Sequence, residues 1–151
     1  MIFDYTTYEV DASSTNPLGI VRRPEVLLRV SGGTSARLLL ALVDTGADES
    51  VLPLSLAESI GVAIDDANTL QAAGVGGHLI DLLPGSVELE VTNGSESYKW
   101  RTVVGFARFE EPDDECAILG HVGALEYFTA TFDGESHQLS LAPNATFPSL
   151  T

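Results

Sequence analysis

Cysteine is nearly missing from this chain: Cys116 is the only one in 151 residues. One thiol cannot close an internal disulfide, so nothing in the sequence points to an oxidising compartment. Basic residues are also scarce. Seven Lys and Arg face 22 Asp and Glu, for a formal charge of −15, and Lys99 is the only lysine. A surface this negative repels phosphate backbones and anionic lipid, which argues against nucleic-acid and membrane partners. Long apolar runs are absent too. The longest, Leu38 to Val43, is far too short to span a bilayer. Met1 to Val10 carries Asp4 and Glu9 and has neither a basic flank nor an apolar stretch. It does not read as a signal peptide, and a cytoplasmic location is expected. Asn93-Gly94-Ser95 and Asn144-Ala145-Thr146 match glycosylation acceptors, but without a secretion signal they carry little weight. The three histidines, His78, His121 and His137, lack metal-ligand spacing, so no metal and no cofactor is expected.

What the chain does have is apolar content and strand periodicity. Its hydrophobic fraction is 44%, normal for a globular protein. At this length roughly 68–70% of the unfolded chain's surface is buried on folding, enough for one core. Val26, Leu28 and Val30 share one face of a strand, and Ser31 to Thr34 read as a hairpin loop. Ala36 to Val43 is nearly all apolar, as for a strand buried on both faces. Pro53 opens a short helix with Leu56 and Ile60 one turn apart, and Gly61 stops it. Val87, Leu89 and Val91 alternate with Glu88 and Glu90. Asn93-Gly94 turns the chain into a strand that places Tyr98, Trp100, Thr102 and Val104 on one face. Glu110 to Glu115 is an acidic surface loop. Gly123 to Phe128 has room for a second short helix. Phe128, Ala130 and Phe132, then Leu139 and Leu141, form a last hairpin about Asp133-Gly134. Trp100 and Cys116 both read as core residues. The expected fold is all-β, a closed β-barrel with one or two short helices. Three regions are expected: an N-terminal extension over 1–25, the main domain over 26–142, and a tail over 143–151.

The stretch that carries chemistry runs from Ala41 to Pro53. An apolar strand delivers Asp44 to a tight loop, and Thr45 and Gly46 follow at once. The strand fixes the carboxylate, the hydroxyl holds the loop, and glycine admits close backbone approach. Asp-Thr-Gly alone also describes an ordinary turn in which Asp accepts local amide bonds. Two further segments, Gly74-Val75-Gly76-Gly77 and Ile118-Leu119-Gly120, lie downstream. The first is not a dinucleotide fingerprint, since no helix pattern in the right strand context follows it.

In that order, Val43-Asp44-Thr45-Gly46-Ala47-Asp48, the glycine-rich run and Ile118-Leu119-Gly120 resemble the retropepsin-like aspartic proteases, the single-lobe relatives of pepsin. Thr129 to Asp133 is similar to bacterial members. The likeness extends from about Val26 to Leu141. It implies that Asp44 is the catalytic aspartate and that Thr45 locks two catalytic loops together across a dimer. Gly46, Ala47 and Asp48 would meet the substrate backbone. Gly76 and Gly77 would lie on a flap over the bound peptide. Ile118, Leu119 and Gly120 would support the catalytic loop. A single Asp-Thr-Gly per chain implies a homodimer with the site on its two-fold axis.

The likeness has departures. Retroviral members commonly follow the supporting glycine with an arginine that pairs with the acid here numbered Asp48. This chain has His121 instead, and a partial replacement is expected. The flap lacks an aromatic residue, having His78 and Leu79. The expected function is hydrolysis of peptide bonds by water held between two Asp44 carboxylates. The alternatives are an inactive dimer of the same fold that binds peptides or acts as a scaffold, and a structural barrel in which Asp44 only caps a turn.

Overall fold

The computed structural model describes residues 1–74 and 76–148. Among them are twelve strands and one α-helix, so the chain is all-β. The N-terminal segment holds β1 (Ile2–Asp4), β2 (Thr6–Glu9) and β3 (Ile20–Arg23). Then come β4 (Glu25–Ser31), β5 (Ala36–Val43), β6 (Val51–Pro53) and the helix α1 (Leu54–Ile60). The rest is β7 (Leu70–Ala73), β8 (Leu79–Thr92), β9 (Ser97–Ala107), β10 (Ile118–Leu119), β11 (Phe128–Asp133) and β12 (Gln138–Pro143). The α1 helix starts directly after Pro53 and ends at Gly61. Gly123 to Phe128 holds only a single 3₁₀ turn, Leu125–Tyr127. No helix among the described residues is long and apolar enough to cross a membrane.

The main sheet runs in the order β4-β5-β10-β6-β9-β8-β7, and β4 also pairs with β8. The pairings therefore close a ring of six strands, with β7 attached outside it. The alternation read in the sequence explains what fills the ring. Val26, Leu28, Val30, Leu89, Val91, Trp100 and Phe106 are all 0% exposed. Each such buried side chain contributes on the order of 1.5–3 kcal/mol of transfer free energy. Outward positions on the same strands carry charge instead, as in the Lys99–Glu88 contact at 3.0 Å.

Besides β4, strand β8 serves two partners in turn. Leu79 to Leu82 pair with β7, and Leu82 to Thr92 pair with β9. The β7–β8 hairpin thereby extends beyond the ring. A second sheet, β1-β12-β11, and the two-stranded β2–β3 hairpin complete the fold.

Two expectations need correction. Strand β5 is not buried on both faces: Leu38 is 58% exposed and Leu40 49%. Leu38 and Leu40 stand on the face of the strand opposite the buried Ala41 and Val43, and that outer face is open to solvent. Cys116 is exposed rather than core, because it precedes β10 at the end of the acidic loop.

Trp100 links the core to the site. It is fully buried, and its indole N–H donates to the Gly123 carbonyl at 2.8 Å. Its ring meets Phe128 edge-on at 5.3 Å and Phe147 at 6.0 Å. The segment that carries Gly120 is thus pinned to the middle of the ring.

Candidate active site

Strand β5 ends at Val43, and Asp44 is the first residue beyond it. The Asp44 N–H donates to the Leu119 carbonyl at 3.1 Å, which extends the β5–β10 ladder to the carboxylate's own backbone. The loop then folds on itself. The Gly46 N–H donates to Asp44 Oδ1 at 2.8 Å, and the Ala47 N–H to the Asp44 carbonyl at 3.3 Å. Asp44 is half-buried, while Thr45 and Gly46 are exposed. One carboxylate oxygen is therefore held by a backbone amide, and the residue still reaches solvent. The Thr45 hydroxyl has no hydrogen-bond partner among the described residues.

Gly120 sits under this loop with no room to spare. A Cβ added there would stand 2.3 Å from the Glu49 carbonyl oxygen and 2.8 Å from that of Ala47. Only glycine permits this approach of two backbones. The segment after it is laced to the loop. The His121 N–H donates to the Ala47 carbonyl at 3.0 Å, and the Val122 N–H to the Asp48 carbonyl at 2.8 Å. The His121 side chain does not pair with Asp48. Its Nε2 stands 3.1 Å from the Thr45 carbonyl oxygen, and no ion pair to Asp48 exists among the described residues.

The glycine-rich run forms the tip of the β7–β8 hairpin. The Gly74 N–H donates to the His78 carbonyl at 3.1 Å, and the Gly77 N–H to the Gly74 carbonyl at 3.0 Å. Gly76 and Gly77 have φ of 97° and 79°, left-handed values that glycine adopts without strain. Val75, the other member of that run, lies outside the described residues.

A cleft of about 480 Å³ lies between these parts. Asp44, Gly46, Ala47, Asp48 and Glu49 line it from the loop, and Gln71, Ala72, Ala73, Gly74 and Ile80 from the hairpin. Val51 and Ile118 add apolar surface. The fold thus brings Asp44, Gly46, Ala47, Asp48 and Ile118 to one cleft. Thr45, Gly76, Gly77, Leu119 and Gly120 do not line it: Leu119 and Gly120 are buried beneath the loop, and the two glycines lie at the hairpin tip. Among the described residues, no cluster of His, Cys, Asp and Glu has the arrangement to hold a metal ion.

No family model matches the sequence, and no curated protein matches it. One solved structure that is similar to this chain is the EIAV protease complexed with the inhibitor HBY-793. It is 24% identical, the match covers 66% of this chain and 82% of that one, and the TM-score is 0.38.

Sequence reasoning missed Ser50. This residue is 1% exposed. Its hydroxyl donates to the Val122 carbonyl at 2.8 Å and accepts the Gly120 N–H at 3.1 Å. Its own carbonyl accepts the Gly105 N–H at 3.0 Å. Ser50 therefore joins the far end of the Asp44 loop, the Gly120 segment and β9. The one available signal was a small hydroxyl residue directly before the apolar pair Val51-Leu52.

Proposed function

We propose that this chain is half of an aspartic endopeptidase and that two copies complete the site. The reading is carried by one observation. Asp44 leaves a core strand into a cleft whose opposite wall is a glycine-tipped hairpin, with Gly120 packed against the backbone below. The arrangement has a carboxylate held by a backbone amide, an open groove for an extended chain and a hairpin along its opposite side. In this reading Asp44 is the catalytic acid, Thr45 joins the two loops across the two-fold axis, and Gly46, Ala47 and Asp48 hold substrate backbone. Gly76 and Gly77 lie on the flap, and Ile118, Leu119 and Gly120 support the loop. The apolar residues Val51, Ala72, Ile80 and Ile118 favour apolar side chains beside the scissile bond.

The chemistry follows from two like charges held close together. Two carboxylates that close together cannot both ionise comfortably, so in the proposed dimer the pair shares one proton. The ionised partner takes a proton from a bound water, and the protonated partner donates to the scissile carbonyl oxygen. The water oxygen bonds to the carbonyl carbon, giving a tetrahedral diol. Its collapse breaks the C–N bond: the carboxyl that took the water's proton gives it to the leaving nitrogen, and a diol hydroxyl returns its proton to the other carboxylate. No covalent enzyme intermediate forms.

The test is cleavage of an unfolded protein on the acid side of neutral, at about pH 5. Wild type should cleave, a statine-type inhibitor should block it, and Asp44→Asn should abolish turnover without changing the circular dichroism spectrum. Peptide binding without turnover, unaffected by Asp44→Asn, would instead identify a binding or scaffolding module. Neither activity would leave Asp44 as a turn residue.

A further inference from the structure

We propose that His121 is a positioning residue that clamps the catalytic loop through the Thr45 carbonyl, an inference that rests on the peptidase reading. The loop from Asp44 to Ala47 has few restraints. Asp44 is tied to Leu119 at its start, and the Ala47 carbonyl accepts the His121 N–H at its end. Between them, the two remaining bonds are internal, from the amides of Gly46 and Ala47 to Asp44 itself. The imidazole Nε2, 3.1 Å from the Thr45 oxygen, makes the one hydrogen bond that reaches the loop's middle from another segment among the described residues.

A carbonyl oxygen only accepts, so Nε2 must carry the hydrogen. That assigns the Nε2–H tautomer to neutral His121 and leaves Nδ1 free for solvent. The platform behind the ring is rigid. The His121 N–H and carbonyl are both used, the latter by the Glu126 amide at 3.0 Å, and the Gly123 amide is held by Glu126 Oε1 at 2.7 Å. The clamp thus transmits the position of a fixed turn to the peptide plane between Thr45 and Gly46. That plane presents the Gly46 amide to Asp44 Oδ1, so tilting it would misalign the carboxylate.

Three variants at this position separate positioning from mere packing. Glutamine places an amide N–H where Nε2 was, asparagine places its own nearer to Nδ1, and alanine removes the donor. Removing an exposed hydrogen bond of this kind should lower kcat about five- to tenfold in His121→Ala, with KM little changed. His121→Gln should restore most of kcat and His121→Asn should not. Amide hydrogen exchange of Gly46 and Ala47 gives a readout independent of turnover. It should speed up in the Ala and Asn variants and return toward wild type in Gln. If Gln and Asn behave alike in both readouts, or if exchange of the loop is the same in all four proteins, the clamp is refuted. A wild-type protein with no turnover would overturn the peptidase reading, while the exchange pattern would still decide the clamp.

Discussion

At the scale of single residues, the candidate site separates what one stretch of chain encodes from what only contact reveals. Asp44, Thr45 and Gly46 can be read directly, because the strand that delivers them and the turn that follows are adjacent in sequence. Gly120 can be read as part of an apolar-apolar-Gly run, although its reason, the carbonyls of Glu49 and Ala47 pressed against its Cα, belongs to the fold. Ser50 and the true partner of His121 cannot be read. Both depend on contacts across more than seventy residues, and no local pattern encodes which carbonyl an imidazole will meet. Ser50 yields a sharp expectation. Ser50→Ala leaves the Gly120 amide without its acceptor in a buried setting, which costs about 1–3 kcal/mol. Chemical denaturation should show that loss, and turnover should fall with it because the loop and its support are no longer joined.

At the scale of elements, strands with one wet face are the legible ones. The alternation of Val87, Leu89 and Val91 with glutamates fixes which face of β8 meets the core, and Asn93-Gly94 fixes where β9 begins. The short strands are not legible. β6 and β10 have three and two residues, too few to show a period, yet they place Ser50 and Gly120. The solvent exposure of Leu38 and Leu40 was hidden for a related reason, since an apolar run without alternation does not show which face is left open. The N-terminal hairpin is a further case. β2 and β3 join the body where the Tyr8 hydroxyl donates to Glu25 Oε2 at 2.6 Å. That hydrogen bond, then burial and the nearby Glu25 charge, push the Tyr8 pKa above its ordinary value of 10.0, with Arg23 acting against them. A raised pKa in the folded state means the protonated phenol is the stabilised form. Its contribution is complete below the unfolded value and is lost as pH rises through the folded one. Wild type should therefore lose stability above about pH 10. Tyr8→Phe should start lower and show less of that loss in thermal unfolding followed across this range. Equal pH slopes for the two proteins would contradict the assignment.

At the scale of the whole molecule, the single Asp-Thr-Gly is the decisive fact. One chain of charge −15 repels another at long range, although at about 0.15 M salt the repulsion is screened beyond roughly 8 Å. Association must then come from short-range contact. In the proposed dimer the exposed Thr45, whose hydroxyl has no partner among the described residues, would meet a second copy of the loop. In the proposed enzyme neither copy has activity alone, and each site uses one carboxylate from each. Mixing tests this directly. Wild-type chain at fixed concentration is equilibrated with increasing amounts of Asp44→Asn chain, and cleavage of an unfolded protein is followed at about pH 5. If two Asp44 carboxylates make one site, mixed dimers are dead, and activity per wild-type chain falls in proportion to the fraction of wild-type chains. Activity that stays constant as the Asn chain is added would contradict the account, because each chain would then be working alone.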